Sequence, residues 1–111
     1  MPRRTAKNIE FEVSSGNVFR DLGFPDAEAL KIKSGLAIEI TRVIRRVGMT
    51  QQEAASQMGI SQAKVSGLMR GDFSNLSETK LMECLNRLGY DIEIRLRPAR
   101  KTIGHRILAV A

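Results

Sequence analysis

Residues 49–71, MTQQEAASQMGISQAKVSGLMRG, hold two short helical patterns on either side of Gly59. Thr50 to Glu53 has the T-x-x-E form of a capping box, in which hydroxyl and carboxylate each satisfy an amide at the helix start. A helix is expected from Gln51 to Met58. Gly59 then permits a left-handed turn that a residue with a Cβ resists. Ser61 can cap a second helix that runs to Arg70 and stops at Gly71. Ala54, Ala55, Met58, Ile60, Val65 and Leu68 are the apolar or small positions, and Ala55 supplies the small residue that a close helix crossing needs. The other face of the second helix keeps Gln62, Ala63, Lys64, Ser66 and Arg70, with no acid among them.

That layout is a helix-turn-helix, and it suggests what the free face is for. A helix about 10–12 Å across fits a DNA major groove about 12 Å wide. Gln62 stands at the helix start and can bond adenine through two atoms, Ala63 can touch a thymine methyl, and Ser66 can bond either a base or a phosphate. These three are the expected base-reading residues. Lys64 can reach phosphate or guanine; Arg70 is expected on phosphate, as is Gln51, which opens the first helix where free amides and the helix dipole suit an anion. The bland alternative is a helical hairpin with a solvated polar face.

Working outward, Pro25 and Asp26 announce a helix whose stripe is Leu36, Ile40, Ile44 and Val47, with Arg42, Arg45 and Arg46 near its C-terminal end. Gly48 can end it, and Gly35 is a weak point inside it. Downstream, Ser77 can cap a helix to Leu88 with Leu81, Cys84, Leu85 and Leu88 inward. A single turn over residues 17–22 completes five helices. Two runs have the alternation of strands: Ile9, Phe11 and Val13 between Glu10 and Glu12, and Ile92, Ile94 and Leu96 between Glu93, Arg95 and Arg97. The expected architecture is mainly all-α, five helices in all: an N-terminal segment over 1–25, a helix-turn-helix domain with a short C-terminal β-strand over 26–98, and a basic, then apolar tail over 99–111. The tail is either frayed or a short packed segment.

The whole chain bounds these expectations. Its 111 residues suit one domain, and with 42% apolar residues, 5% aromatic and no Trp the core must be aliphatic, which favours helices. A net charge of +6 and a pI near 10.1 draw it to polyanions, nucleic acid first. Cys84 is the lone cysteine, so no internal disulfide forms, and a reducing cytoplasm fits. MPRRTAKNIE lacks the apolar core of a signal peptide, and no apolar run approaches the roughly 20 residues of a membrane span. An enzyme is not expected. His105 is the only histidine, Cys84 has no partner for a metal, no glycine-rich phosphate loop is present, and Glu28, Glu39, Glu53, Glu78 and Glu83 are scattered. No cofactor and no metal are expected.

The segment TQQEAASQMGISQAKVSGLMRGDF resembles the Cro/C1-type (XRE) helix-turn-helix family, and the resemblance extends from about Ala27 to Pro98. The following FSNLSETKLMECLNRLGYDIEIRLRP is similar to the HigA-type antitoxin branch, whose members are partnered with mRNA-cleaving toxins of the RelE superfamily. The resemblance implies phosphate contacts at Gln51 and Lys64 and base reading at Gln62, Ala63 and Ser66. One departure is that Met69 and Arg70 stand where many members carry a Glu before the closing glycine. It further implies a repressor of its own operon that neutralises a RelE/HigB-like toxin; the alternatives are a stand-alone regulator without a toxin and a helical adaptor. A homodimer paired through Ile92, Ile94 and Leu96 would read an operator of two half-sites. Ile9, Phe11, Val13 and Phe19 are the expected toxin-binding residues, adding a strand to the toxin's sheet; the alternative is that Ile9 to Val13 packs on its own domain and pairs with the run at 91–97, Glu10 and Glu12 against Arg95 and Arg97.

Overall fold

Apolar residues at three- and four-residue steps build the longest helix, α1 (Ala27–Val47), which buries Leu36, Ala37, Ile40, Val43 and Ile44 along one side. Thr41 shares that side, and its hydroxyl donates to the Ile38 carbonyl at 2.8 Å, which meets the hydrogen-bonding need of a buried polar group. At the end of α1 the amides of Gly48 and Met49 both reach the Ile44 carbonyl, with Gly48 in the left-handed region at φ 81°. The computed structural model describes residues 27–111. Three shorter helices follow: α2 (Gln51–Met58), α3 (Gln62–Met69) and α4 (Glu78–Arg87).

Helices of eight residues are too short to persist alone in water. Packing holds α2 and α3: they lie against each other, α2 also touches α4, and α1 backs both α3 and α4. Ile40, Ile44, Met58, Val65, Leu68, Leu81 and Cys84 meet in one aliphatic core. Each large side chain withdrawn there from water contributes about 1.5–3 kcal/mol. The Cys84 thiol is part of this core, and burial pushes its pKa up, so it is packing material rather than a nucleophile.

The mainly helical expectation holds, with two corrections. Four helices occur among the described residues, and the fifth expected one, the turn over 17–22, lies outside them, as does the expected strand over 9–13. The C-terminal strand is not formed: no strand occurs among the described residues, and Asp91 to Arg97 continues without a ladder. Alternation fixes which side chains share a face but supplies no backbone partner, and a strand exists only where a neighbour takes its hydrogen bonds. Ile92 still packs on the core, whereas Ile94 and Leu96 are 68% and 74% exposed.

The tail is packed rather than frayed. Its Arg106 amide donates to Glu28 Oε1 at 3.0 Å, and His105 Nδ1 lies 2.8 Å from Glu28 Oε2. Leu108 lies over Gly35, where an added Cβ would fall 2.6 Å from the Leu108 Cδ2 atom. The glycine inside α1 is therefore a landing site for the tail.

Candidate nucleic-acid interface

The capping box at the start of α2 is complete. Thr50 Oγ1 accepts from the Glu53 amide at 3.0 Å, and Glu53 Oε1 accepts from the Thr50 amide at 2.8 Å. Helix α2 turns Ala54, Ala55 and Met58 inward and ends at Gly59, which is left-handed at φ 72°. The amides of Gly59 and Ile60 both donate to the Ala55 carbonyl, at 2.9 and 3.2 Å, so the chain reverses sharply over the small Ala55 side chain. Helix α4 locks this turn. An added Cβ at Gly59 would meet the Arg87 guanidinium at 3.1 Å, and Gln57 Nε2 donates to the Arg87 carbonyl at 3.3 Å.

Ser61 then caps α3, its hydroxyl accepting from the Lys64 amide at 3.2 Å. Val65, Gly67 and Leu68 face the core. Gln62, Ala63, Lys64 and Arg70 are exposed, while Ser66 is half-buried, and its hydroxyl accepts from Arg70 Nη1 at 2.7 Å. Gln51, at the first position of α2, is half-buried. The residues expected to read bases and Lys64 thus share one short helix, Arg70 caps its C-terminal end, and Gln51 stands at the mouth of its neighbour.

The sequence reading missed the loop beside α3. Asp72 donates its amide to the Gly67 carbonyl at 2.7 Å, and a Cβ on Gly67 would lie 3.1 Å from the Asp72 carbonyl oxygen. A side chain there would press on the loop, which would have to give way slightly to keep its place. Ser74 bonds Asp72 Oδ1 through both its hydroxyl and its amide, at 2.9 and 3.2 Å, and these bonds, with Arg70 nearby, hold the Asp72 carboxyl below the usual range. Lys33 Nζ sits 5.8 Å from the Phe73 ring centre and ties the loop to α1. The result is a shallow cleft of about 160 Å³ in which Asn75 joins Ala63, Lys64 and Arg70. The signal was a glycine inside a helical pattern, which marks a close backbone approach.

No group of side chains suited to a metal ion occurs among the described residues. No helix among them is long and apolar enough to cross a membrane.

Two capped helices around a left-handed glycine, the second with an acid-free polar face, define a DNA-binding helix-turn-helix unit. A family model described as a helix-turn-helix domain matches residues 18–97. A solved structure assigned to the XRE family of transcriptional regulators is 36% identical, with a TM-score of 0.70, and the match covers 78% of this chain and 98% of that one. The chain belongs to the XRE family of helix-turn-helix regulators. Comparison with curated proteins gives no match.

Proposed function

We propose that this XRE-type regulator is a repressor that reads an operator with α3 and acts as the antitoxin of a toxin–antitoxin pair. The observation that carries the DNA reading is the exposed face of α3, where Gln62, Ala63 and Lys64 stand clear of the core beside Arg70. Gln62 takes an adenine edge, Ala63 a thymine methyl, and Ser66 a base or phosphate, while Gln51, Lys64 and Arg70 fix the register on phosphate. The net charge of +6 adds sequence-independent attraction. A homodimer joined through Ile92, Ile94 and Leu96 places two copies of α3 on half-sites about one helical turn apart. Occupancy of the operator then blocks the polymerase.

The antitoxin part rests on the similarity of Phe73 to Pro98 to HigA-type antitoxins. The partner is a basic, RelE/HigB-like mRNA-cleaving toxin, and the segment over 1–25 is assigned to it. Ile9, Phe11, Val13 and Phe19, the contact residues, lie outside the described residues. Glu10 and Glu12 complement a basic toxin surface.

Fluorescence anisotropy on the promoter of the protein's own operon tests the DNA reading. Gln62→Ala is expected to cost about 1–3 kcal/mol on the preferred site and to relax one base position. Unchanged affinity and base preference would remove α3 from the groove. Co-purification of the native operon products tests the antitoxin reading. A small basic partner that is lost on deletion of residues 1–22, with operator binding retained, supports it; a chain that purifies alone is a stand-alone regulator.

A further inference from the structure

Asp91 to Arg97 leaves the helical domain at a fixed place. Arg46 of α1 donates to the Tyr90 hydroxyl, and Asn86 Nδ2 of α4 donates to the Tyr90 carbonyl at 2.9 Å. Beyond this anchor, Ile92 is half-buried on the core, but Ile94 and Leu96 carry apolar side chains into solvent. Glu93 and Arg95 share the opposite face and bond each other at 2.9 Å with both side chains largely exposed. Among the described residues the segment therefore offers a backbone without a ladder, an uncovered apolar face and a face of mixed charge.

We infer that this segment pairs antiparallel with the same segment of a second copy, with the two-fold axis at Ile94. The inference rests on the homodimer reading above and specifies its register. A two-fold through an antiparallel ladder sets one residue opposite itself, and directly opposed side chains lie on the same face. An axis at Glu93 would set carboxylate against carboxylate, and an axis at Arg95 guanidinium against guanidinium. Like charges directly opposed are destabilising. The axis at Ile94 sets Ile94 on itself, Ile92 against Leu96, Glu93 against Arg95, and Asp91 against Arg97. Every opposed pair is then apolar on one face and oppositely charged on the other.

The same register disposes of the exposed leucine. Ile92 packs on its own helical domain, so a Leu96 that lies opposite it is carried onto the edge of the partner's core. The Glu93–Arg95 bond within one chain becomes half of a cluster of four charges with both signs balanced. The sequence is self-complementary about a single residue, which is the pattern an isologous interface requires.

Three measurements on the full chain test this. Light scattering without DNA is expected to give the mass of a dimer; a monomer at all concentrations overturns the proposal, while the DNA reading is judged separately by the operator assay. Oxidation of Ile94→Cys is expected to give a cross-linked dimer quickly, because opposed Cβ atoms lie about 4.5–5.5 Å apart. Glu93→Cys and Arg95→Cys should cross-link poorly, since each would reach its own twin only across a diagonal of about 7–8 Å. The buried Cys84 makes the unsubstituted chain a silent control. Faster cross-linking at 93 or 95 than at 94 overturns the register and leaves the dimer standing. Finally, Glu93→Arg and Arg95→Glu should each weaken the dimer on the order of tenfold, and the double variant should regain most of the loss. A double variant as weak as the singles contradicts the proposed charge pairing.

Discussion

Arg70 donates a hydrogen bond of 2.7 Å to the hydroxyl of Ser66, one turn earlier on α3. A residue assigned to phosphate thus holds a residue assigned to bases. An (i, i+4) contact of this kind sets the side-chain geometry of a helix surface before any ligand arrives.

Arg70→Ala is therefore expected to do more than remove a charge. Loss of one phosphate contact lowers the slope of log affinity against log salt by about 0.9. Release of Ser66 also changes base preference near its position. Lys64→Ala, which breaks no such bond, should lower the slope alike and leave preference intact. Anisotropy titrations over a salt series with a small operator library separate the two. Identical preference profiles for both variants would show that the Ser66 bond plays no part in recognition.

Gly59→Ala should destabilise the domain by more than the roughly 1–2 kcal/mol that a left-handed backbone costs a residue with a Cβ. Gly48 is also left-handed, at φ 81°, but nothing lies near the Cβ it would gain. Gly48→Ala should therefore show the backbone cost alone, and Gly59→Ala an extra penalty from the Arg87 contact. Urea denaturation of both variants checks the order, and an equal loss would mean that Arg87 moves aside freely.

Gly35→Ala should act in two directions. Alanine favours an α-helix over glycine by about 1 kcal/mol. Its methyl must displace the far end of Leu108, a flexible side chain, so the helical domain can gain stability while the tail loosens. Thermal unfolding and tryptic cleavage in the tail, measured together, test this. A variant with lower stability and an unchanged tail would contradict the contact.

The tail clasp should weaken in acid. Burial acts to raise the Glu28 carboxyl pKa, but the Arg106 amide, the His105 ring and the Arg106 guanidinium outweigh it, and the result lies below the ordinary 4.5. A carboxyl whose folded pKa is depressed contributes stability above its unfolded value and loses it as pH falls through the folded one. NMR relaxation should show residues 105–108 ordered at neutral pH and increasingly mobile below pH 4.5. Glu28→Ala should be mobile in both conditions. An ordered wild-type tail throughout the acid titration would rule out Glu28 as the clasp.

Local chemistry made much of this molecule legible from its residues. Thr50 with Glu53, Gly59, and Ser61 specify a capped helix, a left-handed turn and a second capped helix through contacts that span no more than a few residues. The stripe from Leu36 to Ile44 and the inward Leu81, Cys84 and Leu85 followed from helical period alone, whereas Val47, expected on the same stripe, stands 63% exposed at the end of α1. The exposed identity of Gln62, Ala63 and Lys64 followed from the same period, because burying Val65 and Leu68 leaves them outside.

Only the tertiary structure decided the rest, because the partners lie far apart in sequence. Asp91 to Arg97 has the alternation of a strand, yet no ladder forms among the described residues, since a periodic face carries no information about who takes its backbone hydrogen bonds. The tail residues His105 and Arg106 find Glu28 across nearly the full described chain. Arg87 reaches the Gly59 turn, and Asp72 reaches Gly67, through packing that places one element over another. Periodicity and caps act within a turn or two of helix, so the sequence by itself determined the helices and the polar face that α3 leaves exposed. Which distant segment closes over each glycine depends on the summed geometry of the packed helices, and that is decided only when the chain has folded.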